Sequence, residues 1–124
     1  LEHQMHSEYW DLPEKSAQAI NLAKREGRRV ISIGTTATRL LENVALDQAG
    51  PPIFGGYGWA DIFITPGHSF RILDALVTNF HLPRSTLLML TSAIAGKELL
   101  QQAYKHAVRA KYRFYSFGDA MFIT

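Results

Sequence analysis

Apolar and polar positions along this chain recur with two periods, and the switches between those periods predict its elements. Residues Leu1 to Trp10 read as a short extended segment, with His3 and Met5 on one face and His6 and Glu8 on the other. Asp11 followed by Glu14 has the spacing of a capping box, opening a helix that runs through Ala17, Ile20 and Ala23 to a stop at Gly27. Val30 to Ile33 is a short β-branched strand, and Gly34, Thr35 and Thr36 turn it into a helix carrying Leu40, Leu41 and Val44. Between Asp47 and Ala60 the glycines and prolines resist both periods and predict a loop. Asp61 to Thr65 is apolar on both faces, as a central strand is, and Phe70 to Val77 is a second extended run, with Leu76 and Val77 in the core. Thr86 to Ala95 is apolar nearly all round, predicting a helix sandwiched between layers. After Gly96, Leu99, Leu100, Ala103, Tyr104 and Ala107 share one side of an amphipathic helix, and the strand-like Ala120 to Ile123 closes the chain.

Helices alternating with short apolar strands argue an α/β fold, layered helices around a central mixed sheet, in one domain spanning residues 1–124. At 124 residues with 47% hydrophobic content, the chain can bury a real core. With no cysteine it offers neither disulfides nor thiolate metal ligands. No apolar run is long enough to span a bilayer and no signal peptide is visible, so a cytoplasmic protein without membrane partners is the expectation.

The net charge of +2 says little, but its distribution is uneven. Glu2, Glu8, Asp11 and Glu14 make the start acidic, whereas Lys97, Lys105, Arg109, Lys111 and Arg113 make the last helix and its exit basic against Glu98 alone. Lys97, Lys105, Arg109 and Arg113, spaced by multiples of four, read as a solvated stripe or as cations for nucleic-acid phosphates.

Polar chemistry concentrates between Asp74 and Ser85, where an extended run becomes a helix. Thr78, Asn79, His81, Arg84 and Ser85 supply hydroxyl, amide, imidazole and guanidinium at the kind of strand end where α/β proteins place concave sites. Pro83 keeps Leu82 out of helical geometry, and Ser85 is suited to cap the helix, whose N-terminus with Arg84 favours a carboxylate or phosphate. Asp74, in a greasy segment, is either a hydrogen-bonded structural aspartate or part of a site. Thr35 and Thr36 with Arg39 one turn later form either an anion-holding turn or a plain helix cap. Tyr57 and Trp59 suit stacking on a base or packing over a core edge. His6 beside Glu8 is an acid or base candidate; strand geometry separates His3 from His6, so no metal site is expected. Gly118 and Asp119 read as a turn into the last strand.

Taken together, five blocks resemble the S-adenosylmethionine:tRNA ribosyltransferase-isomerase (QueA) family of bacterial queuosine synthesis. They are His3-Gln4-Met5-His6-Ser7-Glu8, Gly34 to Arg39 with Glu42, Asp61 to Ile64 with Pro66-Gly67, Asp74 to Thr86, and Tyr112 to Met121. His68 stands where the family tends to have an aromatic, and family members are longer, with an N-terminal α/β portion and a β-barrel insertion that this chain lacks. The resemblance implies the C-terminal portion of the family's catalytic domain. It also implies transfer and isomerisation of the ribosyl group of S-adenosylmethionine, as co-substrate, onto the aminomethyl-deazaguanine base at the tRNA wobble position. Epoxyqueuosine forms; adenine and methionine leave. On that reading His6, Asp74, His81 and Asp119 are acid-base candidates. Thr35, Thr36, Arg39, Thr78, Asn79, Arg84 and Ser85 bind substrate, and Lys105, Arg109 and Arg113 contact tRNA. The alternative is a tRNA- or anion-binding fragment without activity of its own, and open sheet edges would allow a homo-oligomer.

Overall fold

The structure is a computed structural model that describes residues 7–80, 86–114 and 118–124. Its elements are β1 (Glu8–Leu12), α1 (Glu14–Arg25), β2 (Ile31–Ile33), α2 (Thr35–Gln48), β3 (Gly56–Ala60), β4 (Ala75–Asn79), α3 (Thr86–Ala95), α4 (Lys97–Arg109) and β5 (Ala120–Ile123). The α/β expectation holds, and the sheet around which the helices are layered is mixed. β4 is central, parallel to β2 and antiparallel to β5. A separate antiparallel ribbon pairs β1 with β3.

One face of the mixed sheet is covered. Ser32, Leu76 and Ile123 lie in one row of the register and all are buried. Leu76 and Ile123 pack with Leu90 of α3, Ile64 and Leu73 in one core cluster. A second cluster joins Ala17 of α1 to Leu41, Val44 and Ala45 of α2, with Leu12, Ile53 and Ile72. Fully burying a Leu, Ile or Val side chain contributes about 1.5–3 kcal/mol, so these two clusters hold the layers together.

Several boundaries differ from the sequence reading, and each has a physical reason. Asp11 does not cap α1, because it lies in β1 opposite Tyr57 and Pro13 takes the cap position without a side-chain bond. The Glu14 carboxylate instead accepts the Gly55 N–H at 3.1 Å. Residues 56–60, expected in a loop, are strand β3. The neighbouring strand favours glycine at one of them: a Cβ on Gly58 would lie 3.2 Å from the Trp10 indole, closer than ordinary contact. Residues 61–65, expected as a central strand, have no ladder partner among the described residues. Of the Phe70 to Val77 run only Ala75 onward is strand. Along α3, Leu90 and Thr91 are buried while residues 92–95 are half-buried, and Leu99 of α4 is exposed, a hundred degrees or so round the helix from buried Leu100.

Candidate active site

The parallel strands β2 and β4 both end on the side where α2 begins and β5 enters, so one edge of the sheet collects several candidate residues. Gly34 makes the turn: its φ of 93° suits glycine, and its N–H donates to the Val77 carbonyl at 2.8 Å. With no side-chain cap on α2, the first-turn N–H groups beside half-buried Thr35 and exposed Thr36 are a positive dipole end. Thr38, one turn on, donates to the Gly34 carbonyl at 3.1 Å and lies 3.1 Å from the Ser32 hydroxyl, which ties helix to strand.

On β4, Thr78 turns to the covered face and is buried, while Asn79 turns the other way. The Asn79 amide reaches towards the Gly118 and Asp119 carbonyls, both at 3.5 Å. Asp119 closes a loop on Arg113. Its carboxylate accepts the Arg113 N–H at 2.7 Å and its own N–H donates to the Arg113 carbonyl at 2.8 Å. The backbone N–H of Arg113, with the guanidinium assisting, lowers the Asp119 pKa from its ordinary 3.8, against a smaller opposing effect of burial. Asp119 is therefore held as a carboxylate, suited to face a cation more than to take up a proton.

Two expected site residues are directed elsewhere. Asp74 stands before the first residue of β4, five steps and about 17 Å of extended chain from Asn79. There it accepts the Val30 N–H at 2.8 Å and pairs with Lys24 at 3.2 Å, and Lys24 also donates to the Ile72 carbonyl at 3.0 Å. This is the structural-aspartate arrangement. Arg39 is turned inward with its side chain 3% exposed. It pairs with Glu8 of β1 and donates to the Ile62 carbonyl at 3.0 Å and, more weakly, to that of Ala60 at 3.5 Å. Its guanidinium thus anchors β1 and the segment after β3 and is turned away from the α2 N-terminus.

Residues 1–123 match the family described as queuosine biosynthesis protein. The chain belongs to that family. It is 57% identical over 122 residues to the S-adenosylmethionine:tRNA ribosyltransferase-isomerase of Natranaerobius thermophilus, covering 98% of this chain and 35% of that protein. The enzyme of the same name from Carboxydothermus hydrogenoformans is 56% identical, with 99% and 36% covered. Among solved structures, the S-adenosylmethionine tRNA ribosyltransferase of Thermotoga maritima superposes with a TM-score of 0.85 at 44% identity, covering 94% of this chain and 40% of that one. The chain spans about a third of the length of the curated relatives it matches.

Against the residues that the resemblance to this queuosine family implicated, the structure brings Thr35, Thr36, Asn79 and Asp119 to one end of the sheet, with Thr78 beside them on the covered face. His6, His81, Arg84 and Ser85 lie outside the described residues. Lys105 and Arg109 are exposed on α4, while Arg113 lies beyond its end with its guanidinium 3.5 Å from Asp119. Among the described residues no group of three potential ligands could hold a metal ion.

The residue that sequence reasoning left without a role is Glu42. Its side chain is fully buried and its carboxylate accepts the N–H groups of Arg71 at 2.9 Å, Ile72 at 2.9 Å and Leu73 at 3.0 Å, with His68 Nε2 at 3.2 Å. The signal was present: a carboxylate one residue after Leu41 and two before Val44 falls on the apolar side of α2. A charge there must find donors inside the protein.

Proposed function

We propose that this chain is a catalytic-domain portion of an enzyme that transfers and isomerises the ribosyl group of S-adenosylmethionine onto the aminomethyl-deazaguanine base at the tRNA wobble position. Epoxyqueuosine is the product, with adenine and methionine released. The observation that carries this reading is the 57% identity, over 98% of the chain, to a protein named S-adenosylmethionine:tRNA ribosyltransferase-isomerase. Such a tRNA substrate implies the cytoplasm.

The reaction needs a base for a proton beside the sulfonium, an acid as adenine departs, and N–H or cationic groups for the methionine carboxylate and tRNA phosphates. Asp119, held as a carboxylate by Arg113, supports the role of partner to the sulfonium charge. The uncapped α2 N-terminus with Thr35 and Thr36, and Asn79 opposite, support binding of the methionine carboxylate. His6, His81, Arg84 and Ser85 complete the proposed set by residue type. Lys105, Arg109 and Arg113 are the proposed tRNA contacts. Asp74 stays in the proposal only as a support for β4, because its oxygens already serve Lys24 and Val30.

A second reading, a tRNA- or anion-binding piece whose chemistry needs further chain, is favoured by the coverage of only 35% of the relative's length. Incubation with S-adenosylmethionine and tRNA carrying the precursor base, followed by mass spectrometry for adenine and the modified nucleoside, separates the two. Adenine release above a no-protein control is the expected outcome if the catalytic groups all lie in these residues. A folded chain that binds tRNA but releases none would leave the second reading standing.

A further inference from the structure

Between α3 and α4 runs a groove of about 500 Å³ whose two sides differ in chemistry. Leu100 and Tyr104 form an apolar wall, while Lys97, Gln101 and Lys105 of α4 and Ser92 of α3 supply two cations, an amide and a hydroxyl. No carboxylate lines it. Among the described residues the side chains of Lys97, Lys105, Gln101 and Ser92 make no hydrogen bond or ion pair, in contrast to Lys24, which bonds Asp74 and Ile72. Lys97 also occupies the first position of α4, where the helix dipole disfavours a cation, and its N-cap Gly96 offers no side-chain acceptor. A negative group in the groove would relieve both.

The basic stripe read from the sequence is divided by the helix geometry. Four residues turn the helix about 40° past a full circle, so Lys97, Gln101 and Lys105 face the groove over a rise of about 12 Å while Arg109 has rotated out of it. Arg113 lies past the end of α4 beside Asp119. We propose that this groove, not the whole stripe, holds a single-stranded stretch of the RNA substrate, with backbone phosphates at Lys97 and Lys105 and a base or ribose against the Tyr104 wall. The proposal rests on the tRNA reading above and specifies where that substrate lies. An apolar wall beside paired cations suits an unstacked nucleotide, which presents both surfaces together; a duplex keeps its bases inside. The volume lies within the range of nucleotide-sized ligand sites.

The test is binding of a tRNA transcript, and of a fully paired RNA duplex with the same number of phosphates, to the 124-residue chain at several salt concentrations. The variants are Lys97→Gln/Lys105→Gln and, as a charge-matched control, Lys15→Gln/Arg29→Gln, whose exposed cations lie elsewhere. Two lost phosphate contacts on a single strand predict a fall of about 20-fold in tRNA affinity at 0.1 M salt and a salt slope smaller by about 1.4, with the control and the duplex little changed. An equal loss in the control pair would reduce the effect to net charge and overturn the proposal, as would displacement of the RNA by poly-glutamate at equal charge. If the chain binds tRNA and the groove variant binds it as well, the groove assignment fails while the functional reading survives. No tRNA binding by the unaltered, folded chain overturns both.

Discussion

Helices α2 and α4 each carry charged residues at helical spacing, yet the charges do opposite things. In α2, Arg39 and Glu42 are buried and bind the protein's own backbone: carbonyls of Ala60 and Ile62, N–H groups of Arg71, Ile72 and Leu73. In α4, Lys97 and Lys105 stand in an open groove with nothing bound to them among the described residues. The difference teaches that a buried charge is a connector. It takes over hydrogen-bonding groups that would otherwise need a neighbouring strand, as for Ile62 and for residues 71–73, which are in no ladder among the described residues. An exposed charge keeps its donors for a ligand.

The largest effect that would break this contrast comes from Glu42. Glu42→Leu leaves the buried N–H groups of Ile72 and Leu73, and the partly buried one of Arg71, without acceptors and should cost on the order of 4 kcal/mol, read as a lower urea midpoint, with Glu42→Gln recovering part of it. A variant as stable as the parent would show that the loop before β4 does not depend on this carboxylate. Next comes Arg39→Met, expected to cost about 3 kcal/mol because it frees Glu8 and two carbonyls at once. Hydrogen exchange should then rise first in β1 and β3, the elements Arg39 anchors.

A smaller effect belongs to Asp119, at the exit of α4. Its folded pKa is depressed, so its contribution is fully present above the ordinary value of 3.8 and is lost as pH falls through the folded value. Asp119→Asn should therefore be less stable than the parent at pH 7, and the two urea midpoints should converge in acid below 3.8; a gap that stays constant with pH would sink this account. The smallest effect on stability is expected in α4. Lys105→Met should change it by no more than about 0.5 kcal/mol while weakening tRNA binding measurably, the reverse of what Arg39→Met does.

Much of the fold was legible because it depends on local pattern. The α2 and α4 periodicities, the Gly27 stop, the Gly34 turn and the Val30 to Ile33 and Ala120 to Ile123 strands correspond to elements within a residue or two. What escaped was non-local. Gly-Tyr-Gly-Trp-Ala looks like a loop until Trp10 of β1 is laid across Gly58. Ile62 and Ile64 look like a central strand until Arg39 takes the Ile62 carbonyl, although Ile64 is buried as the pattern required. Of the candidate site, the placement of Thr78 and Asn79 at a strand end was readable from the sequence, whereas the direction of Arg39 and the structural bonds of Asp74 were not.

By itself the sequence determined that the chain is built of alternating helices and strands, roughly where the four helices and strands β2 and β5 lie, and which family the chain resembles, since these follow from spacing and from ordered blocks of residues. Only the tertiary structure decided which charges are connectors and which remain available. Burial and the choice of hydrogen-bond partner belong to a pair of segments far apart in the chain, as Glu42 with Leu73 and Arg39 with Glu8 are, and no single segment specifies its own partner.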